Sequence, residues 1–594
     1  MKHLLKKHRM LSVGIFLAAV LSIIYAAILS PAGKSTGSFS EFCTTLFREE
    51  MKSNTMNLHF TLKDPKAAGI DSYEITLGSL SGDSPHNQAR QLKKLSEELK
   101  KYSHRSLKGK DRLTCRLLSD YISRQQNLAA YPYYDEPLTP SGGVTSQLPV
   151  LLAEYTFRNT RDIKDYLGLL SQMDTYFLGI LDYEQKKADA GLFMSDEACL
   201  KVIEGCEVFT EHPDDNFLID TFSNRLNAMD GLTDTQKNAY LKQHSKVLSD
   251  HVIPAYSQMI KGLTMLLGRG HNNWGLCNFP EGKAYYEAVV SADTGCDDSV
   301  EDLFSQIAKA RREDLTFCQN LLEKNPKLAS QSPKPDAALK EENAMLSRLQ
   351  KEILTDFPAP PQTDVEICHV DPALSEYLAP AFYITAPIDD ISHNRIYIND
   401  AKNDTDIYYF TTLAHEGYPG HLYQTICTSS YGAPEVLSLL NYPGYTEGWA
   451  TYTEMQSFYY AGLDPDLASL LQHNQAATLS LYATADIGIH YFGWEKEKNA
   501  AFWSEYGVDD TATVKRITDL ILEEPGNYLK YYVGYLKFRQ MREQLALENK
   551  SFSVSAFHEA ILRTGPSPFS VLEETVRDQL KSVSYTHLRA HETR

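Results

Sequence analysis

Apolar residues recur at three- and four-residue steps along most of the chain, and this pattern predicts a mainly helical protein. The clearest periodic stretches are Gln88–Tyr121, Asp162–Ala190, Thr233–Leu267, Val300–Lys324 and Asp464–Asn499. Segments rich in Gly, Pro and Asn separate such stretches and predict loops. These segments are Tyr131–Gly143, His271–Gly282 and Phe357–Thr363.

Strand-like sequence is scarce and is found at Ala381–Thr385 and Arg395–Asn399, on either side of the turn-prone Asp389–Asn394. We therefore expect a small β-sheet beside a helical body. An edge strand can hold an extended peptide through main-chain hydrogen bonds, and the second strand, with Arg395 and Tyr397, is placed to do so. An ordinary covered strand is an equally good interpretation.

The first thirty residues have the pattern of a membrane-targeting segment. Four basic residues precede an uncharged run from Leu11 to Leu29, which is long enough to span a bilayer as a helix. The basic flank is expected to stay in the cytoplasm, with everything after about Ser35 outside. Cleavage of the segment is an alternative that would give a secreted protein. The first cysteine, Cys43, is too distant for a lipoprotein signal.

The 594 residues are 43% hydrophobic and 23% charged, which is the composition of a large globular body. The net charge of −19 argues against a nucleic-acid partner, because nucleic acids favour basic surfaces. Nine cysteines are scattered without a C-x-x-C pair, and export would permit disulfides. The close pairs are Cys199 with Cys206 and Cys277 with Cys296. Residues 583–594 resemble a translated sequencing adapter, and we exclude them from fold reasoning.

The most informative motif is HEGYPGH at 415–421, followed 26 residues later by Glu447 in EGWA. Two imidazoles, a Glu beside the first and a later Glu are the residue types of a zinc hydrolase. Three protein ligands hold such a metal and leave a fourth position open for water. We expect His415, His421 and Glu447 to bind Zn²⁺, and Glu416 to act as general base and then as acid to the leaving group.

The spacing between the two histidines departs from the common H-E-x-x-H pattern. Residues at i and i+6 point about 240° apart on a straight helix, so a regular helix cannot bring both rings to one metal. Pro419 clashes with the carbonyl of His415, and Gly417 and Gly420 tolerate unusual dihedral angles. We predict that the helix is broken between the ligands and that two residues loop out.

HEGYPGH followed by EGWA resembles the bacterial domain-of-unknown-function family 885, which is grouped with the gluzincin metallopeptidases. Further segments that resemble the family are 57–65, 147–155, 395–399, 486–494 and 525–542, so that the resemblance spans roughly 45–580. It implies a mainly helical, gluzincin-like fold with a small sheet beside the active-site helix, and a zinc peptidase. The resemblance also makes Tyr531 and His490 candidates for stabilising the oxyanion.

Other polar residues have two interpretations each. Arg542 and Lys537 follow Gly534 on a predicted helix and are candidates for binding a substrate carboxylate, or they lie on a solvated helical face. Glu454 lies two turns after Glu447 and is placed to orient a metal ligand. Asp486 lies one turn before His490, and a buried hydrogen bond between them is the alternative to a catalytic role for His490.

These observations divide the chain into a signal anchor or signal peptide at 1–35, an N-terminal helical part of the catalytic body at 36–290 and a C-terminal part with the metal site at 291–582. The leading hypothesis is an extracytoplasmic zinc peptidase acting on short peptides. A zinc hydrolase of another amide or ester is the second. A catalytically silent binding protein is the third, although the presence of Glu416 argues against it.

Overall fold

Helices form most of the computed structural model, which describes residues 37–102, 106–331, 333–370, 372, 375, 378–402 and 407–592, with side chains to 581. The predicted anchor at 1–35 lies outside the described residues, and the adapter-like segment lies beyond the last described side chain. None of the helices in the described part is long and apolar enough to cross a membrane.

The first half of the described chain contains twelve α-helices. They are α1 Phe39–Ser53, α2 Thr55–Thr61, α3 Ser84–Leu99, α4 Gly109–Leu128, α5 Val144–Ala153, α6 Thr160–Leu170, α7 Met173–Asp189, α8 Asp196–Glu211, α9 Phe217–Ala228, α10 Asp234–Val247, α11 Ile253–Leu266 and α12 Gly282–Thr294. A π-helical turn, Leu248–Val252, joins α10 to α11.

The second half of the described chain contains a small sheet and eleven α-helices. They are α13 Val300–Lys324, α14 Glu342–Glu352, α15 Ile407–Glu416, α16 His421–Ser430, α17 Pro443–Ser457, α18 Pro465–His490, α19 Lys496–Glu505, α20 Thr511–Glu523, α21 Asn527–Glu548, α22 Val554–Thr564 and α23 Phe569–Glu592. The strands are β1 Asp364–His369, β2 Ala381–Ile384 and β3 His393–Ile398.

The mainly helical prediction is confirmed, and capping side chains explain several helix boundaries. The prediction of Val300–Lys324 matches α13, whose start is fixed by the Ser299 side chain accepting from the Asp302 N–H. The Thr233 side chain likewise accepts from the Gln236 N–H and begins α10. Three of the other predicted long helices are each divided in two by a turn, because the apolar periodicity continues across short breaks.

The sheet has the strand order β1-β3-β2, with β1 parallel and β2 antiparallel to β3. The two predicted strands correspond to β2 and β3, and β1 was not predicted. β3 is central and paired on both sides, so of the two interpretations the covered strand is confirmed and the free edge is not. β2 forms an edge instead, and its Tyr383 main chain faces α15, as described below.

Two large hydrophobic clusters fill the interior. The larger combines α1, α3 and α4 with α12 and most of the second half, and the smaller occupies α5 to α11 with one face of the sheet. Strand β3 contributes Ile396 and Ile398 to the first cluster and Tyr397 to the second, so the sheet joins them. All nine cysteines are free thiols, including the two close pairs.

Candidate metal centre

The two histidines of the motif lie on separate helices. Helix α15 ends at Glu416 and α16 begins at His421. Across this junction the Gly420 N–H donates to the Ala414 carbonyl at 2.9 Å, and the Tyr423 N–H donates to the Gly417 carbonyl at 3.1 Å. Each bond spans six residues where an α-helix spans four, so two residues loop out. The predicted break between the ligands is confirmed.

Gly420 makes this loop possible because it has no β-carbon. Its φ is −79°, but a β-carbon there would lie 1.8 Å from the carbonyl oxygen of His415 and 2.4 Å from the carbonyl carbon. Both atoms belong to the backbone and cannot rotate away. The loop is also held from α17, where the indole N–H of Trp449 donates to the Pro419 carbonyl at 2.9 Å.

Glu447 reaches the site because α17 packs very closely against α21. A β-carbon on Gly448 would lie 2.4 Å from the Gly534 α-carbon, and one on Gly534 would lie 2.2 Å from the Gly444 carbonyl oxygen. Helices approach to this distance only where neither has a side chain at the contact. Glu447 and Tyr531 lie one turn or less before this contact on their helices.

The three predicted ligand side chains converge. Glu447 Oε2 lies 3.6 Å from His415 Nε2 and 3.4 Å from His421 Nε2, and the three ligand atoms all lie within 4.8 Å of one another. The exposed fractions of the His415, His421 and Glu447 side chains are 9%, 11% and 5%, so all three side chains are largely buried. His421 Nε2 and Glu447 Oε2 have no hydrogen-bond partner among the described residues.

Charges inside the cluster oppose the effect of burial. Burial favours the neutral form of Glu447, but His421 and His415 hold the pKa of its carboxyl below the ordinary value. Burial also disfavours the charged form of His415, but Glu447 and Glu454 raise the pKa of its imidazole well above 6.5. These charge interactions therefore favour the ionised form of Glu447 and the protonated form of His415, against the effect of burial.

Glu416 is adjacent to the cluster and is fixed by the sheet. Its Oε2 accepts from the Tyr383 N–H of β2 at 2.9 Å. Tyr383 is in turn held by its hydroxyl, which donates to Asn394 at 2.6 Å. Burial raises the pKa of the Glu416 carboxyl, while His421 and His415 act in the opposite direction. A raised pKa suits a general base, because the carboxyl group must hold the proton it accepts before releasing it as an acid.

Glu454 lies beside His415, in the position to orient a metal ligand that the sequence predicted. Its Oε2 is 3.1 Å from His415 Nδ1, and its side chain is 9% exposed. With Nδ1 bonded to this carboxylate, Nε2 is the nitrogen of His415 that faces Glu447 and His421. A carboxylate on the far nitrogen fixes the orientation of a metal-binding imidazole and increases its basicity.

Tyr531 also lies at the cluster. Its ring centroid is 6.4 Å from that of His415, and its hydroxyl is buried without a hydrogen-bond partner in the described part of the chain. Burial, with the charges of Glu447, Glu524 and Glu416, raises the pKa of this phenol well above 10. The hydroxyl is therefore a neutral donor facing the site.

His490 is not brought to the cluster. Its Nδ1 accepts from the Leu276 N–H at 3.1 Å and its Nε2 lies 2.8 Å from the Ile521 carbonyl, so both nitrogens are used by the backbone. Burial lowers the pKa of the imidazole to about 4. The bond from Asp486 to His490 is not formed either. Asp486 accepts from the Tyr286 hydroxyl at 2.6 Å and from the Gly526 N–H at 3.0 Å.

The predicted carboxylate-binding residues are bonded elsewhere. Lys537 Nζ lies 2.7 Å from Asp298 Oδ2 in a partly buried ion pair. Arg542 donates to the Tyr452 hydroxyl at 3.1 Å. Both lie beyond Gly534 on α21, whereas Tyr531 precedes it. The helical face that looked suitable for a substrate is instead packed into the protein.

Arg395 and Tyr397 lie two residues apart on β3 and therefore share one face of the strand, but neither has the role predicted for it. Arg395 is half exposed and pairs with Glu366 on β1 at 3.0 Å. Tyr397 is buried, and its ring stacks on Phe382 with centroids 5.0 Å apart. Neither side chain has a contact with the histidine cluster in the described structure.

Sequence reasoning missed the supports of the site. The main chain of Tyr383, the indole of Trp449 and the glycines at 444, 448 and 534 were not singled out. A four-residue glycine spacing in α17 was visible beside Glu447 and is the signal that indicates close helix packing. The contact of Tyr383 with Glu416 had no signal, because it depends on how the sheet docks on α15.

Comparison with known proteins places the chain in a family. Residues 65–576 match the family described as bacterial protein of unknown function (DUF885). This is most of the chain, which therefore belongs to the DUF885 family. No curated protein matches the sequence.

Two solved structures share the fold. A crystal structure from Colwellia psychrerythraea, described as a candidate lipoprotein, has 19% identity and a TM-score of 0.80, and covers 92% of this chain and 100% of its own. A Shewanella oneidensis protein of unknown function, also described as a candidate lipoprotein, has 17% identity and a TM-score of 0.60, and covers 91% and 99%. At these identities the likeness concerns the fold alone.

Proposed function

We propose that this protein is a zinc-dependent peptidase related to the gluzincins, in which His415, His421 and Glu447 bind Zn²⁺ and Glu416 is the general base. The observation that carries the proposal is the convergence of three buried ligand atoms beside Glu416, whose carboxyl group is held in place by the Tyr383 N–H. Structural histidines are normally hydrogen-bonded, whereas His421 Nε2 is buried with no hydrogen-bond partner in the described structure.

The residues fit zinc by chemistry and by distance. Two His and one Glu are a ligand set of catalytic zinc sites, which keep a fourth position open. Two donors bonded at about 2.0–2.1 Å to a tetrahedral zinc are about 3.4 Å apart. The distances from Glu447 Oε2 to the two imidazoles are 3.6 and 3.4 Å. Metal binding requires a neutral imidazole at His415, so it would compete with protonation of this residue.

The mechanism assigns a step to each neighbouring group. When bound, zinc supplies Lewis-acid chemistry, which acidifies a water molecule and polarises a carbonyl oxygen. Glu416, held by the Tyr383 N–H, takes the proton of the attacking water and passes it to the leaving amine. The Tyr531 hydroxyl donates to the oxyanion that develops on the carbonyl oxygen. Glu454 keeps His415 oriented throughout.

A zinc hydrolase of a non-peptide amide or ester uses the same groups and is the second candidate. Its support is that every group named above acts on the acyl carbon and none on a peptide side chain. A silent binding protein has no need of Glu416 or of the main-chain bond that fixes it.

We further propose that the catalytic body is extracytoplasmic and attached to the membrane through residues 1–35. The basic flank and the uncharged run of Leu11–Leu29 support this location. The description of both structural neighbours as candidate lipoproteins agrees with an exported protein. Export of a reporter fused after residue 36 tests this, and a cytoplasmic reporter would contradict it.

The activity is tested with the zinc-loaded chain and a library of short peptides, with cleavage measured by mass spectrometry. We expect cleavage by the wild-type protein, and Glu416→Gln should keep its zinc and fold while losing about 10²–10⁴-fold in rate, the usual contribution of a general base. Near-normal turnover by Glu416→Gln would refute the mechanism. Cleavage of small amides or esters, but of no peptide, would select the second candidate.

A further inference from the structure

Arg311 on α13 is a buried cation without a carboxylate partner. The other buried Lys and Arg residues of the described chain are Arg124 and Lys187. Arg124 pairs with Asp297 at 2.6 Å, and Lys187 pairs with Glu136 at 2.5 Å. Arg311 is 7% exposed, and no ion pair with it is found within the described residues. A buried charge without a counter-ion is unfavourable, so this guanidinium requires one from outside the chain.

The carboxylates near Arg311 are bonded to other residues. Asp314 lies one turn later on α13, and its Oδ1 is 2.8 Å from His473 Nδ1 and 3.1 Å from Arg539 Nη1. Glu543, which is largely exposed, lies 3.7 Å from Arg539 Nε. These carboxylates therefore balance the charge of Arg539 and do not reach Arg311.

Neutral groups satisfy only part of the Arg311 guanidinium. Its Nη1 donates to the Thr484 hydroxyl at 2.6 Å and to the Ser480 carbonyl at 3.4 Å. The N–H groups on Nε and Nη2 have no acceptor in the part of the chain that the structure describes. The guanidinium carbon also lies 5.3 Å from the centroid of the Tyr506 ring, which favours a cation but supplies no conventional acceptor.

Arg311 lines a small cavity between α13 and α18. Tyr506, which follows α19, also bounds this cavity, and the rest of the wall includes Asn474 and the apolar side chains of Leu315 and Leu481. The Nε and Nη2 atoms of Arg311 keep some contact with solvent, and for a side chain this buried the cavity provides it. The space is sufficient for about one water molecule or one small ion.

Asn474 provides a second indication of a ligand in this cavity. Its side chain is 7% exposed, and its amide Nδ2 is buried with no hydrogen-bond partner among the described residues. Buried polar groups are normally hydrogen-bonded, so an unsatisfied amide and an unsatisfied guanidinium in one wall indicate a shared ligand. Both groups are donors, which means that the ligand is an acceptor. The charge of Arg311 favours an anion over water.

We propose that Arg311 and Asn474 bind a small monovalent anion, of the size of chloride, in this cavity. The guanidinium supplies the positive charge and charge-assisted hydrogen bonds, and the amide supplies a further donor. The small space and its apolar walls exclude larger anions such as sulfate or phosphate. None of the lining residues belongs to the metal centre, so the site does not depend on the proposed peptidase function.

Chlorine NMR measures this site directly, because bound chloride broadens the resonance of the free ion. The protein is titrated with chloride at constant ionic strength, with gluconate as the replacement anion, and should show saturable broadening. Arg311→Gln should raise the Kd for chloride about tenfold or more, because a charged hydrogen-bond donor is lost. Asn474→Asp keeps the shape of the side chain but adds a negative charge to the wall, and it should weaken binding at least as much.

Arg312→Gln is a matched control, because Arg312 is the next residue on α13 and is exposed. This variant should keep the wild-type Kd. If circular dichroism shows that Arg311→Gln is unfolded, Asn474→Asp decides the question alone. No saturable broadening in the wild-type protein would show that the cavity takes water only. A wild-type Kd in either folded site variant would show adventitious binding at surface cations, and each of these two results would overturn the site.

Discussion

Replacing Gly420 by alanine tests whether the looped junction positions the two histidines. The new β-carbon would lie 1.8 Å from the carbonyl oxygen of His415, whereas ordinary contact begins at 3.4 Å. The two segments must therefore separate by about 1.6 Å, because a backbone carbonyl cannot rotate aside as a side chain does. Metal bonds tolerate displacements of about 0.2 Å.

A displacement of this size moves His421 away from a metal held by His415 and Glu447. Disturbing a group that only orients a ligand weakens metal binding about 10- to 100-fold, so displacing a ligand should cost roughly 100-fold or more. Affinity is measured by competition with a chromophoric chelator. Circular dichroism establishes that the variant is folded.

Two further glycines provide a graded control. A β-carbon on Gly205, in α8, meets nothing within 4 Å, so Gly205→Ala should leave metal affinity unchanged. A β-carbon on Gly417 would lie 2.8 Å from the Leu413 carbonyl oxygen, which predicts an intermediate loss. Wild-type metal affinity in a folded Gly420→Ala protein would refute the role given to the junction.

Two other outcomes follow from the geometry. Glu454→Gln should weaken zinc binding about 10- to 100-fold in the same competition assay, with Glu366→Gln on exposed β1 as a control, and equal affinities would show that the bond to His415 has no orienting role. Burial lowers the pKa of His490 to about 4 from 6.5, so the unfolded chain takes up this proton first as pH falls. The contribution of neutral His490 to the free energy of unfolding is therefore fully present above pH 6.5. It falls by about 3 kcal/mol as the pH decreases to 4. Urea denaturation should show that His490→Gln lacks this part of the acid sensitivity, and identical pH profiles would contradict it.

Local patterns in the sequence predicted the helical class, two of the three strands and the break between His415 and His421. These depend on periodicity and on Pro419 and Gly420, which act within a few residues. Glu454 was also predictable, because two helical turns separate it from Glu447 on one face. The contact of Glu454 with His415 confirms that reading of the helix.

The errors concern residues whose surroundings come from distant parts of the chain. His490 looked catalytic, but its nitrogens bond to Leu276 and Ile521, which are far away in sequence. Lys537 likewise pairs with Asp298 from another helix. The central position of β3 depends on β1, which pairs with it from 29 residues earlier in the sequence. Such contacts depend on how distant segments pack together, and the periodicity of a single segment gives no information about that packing.

Zinc content measured by elemental analysis tests the central claim most directly. The wild-type chain, loaded with zinc and freed of excess by gel filtration, should hold about one zinc ion. Glu447→Ala should hold little or none, because only two histidines would remain as ligands, while Glu366→Ala should retain the wild-type content. Full zinc occupancy in folded Glu447→Ala, or none in the wild-type protein, would contradict a centre built from His415, His421 and Glu447.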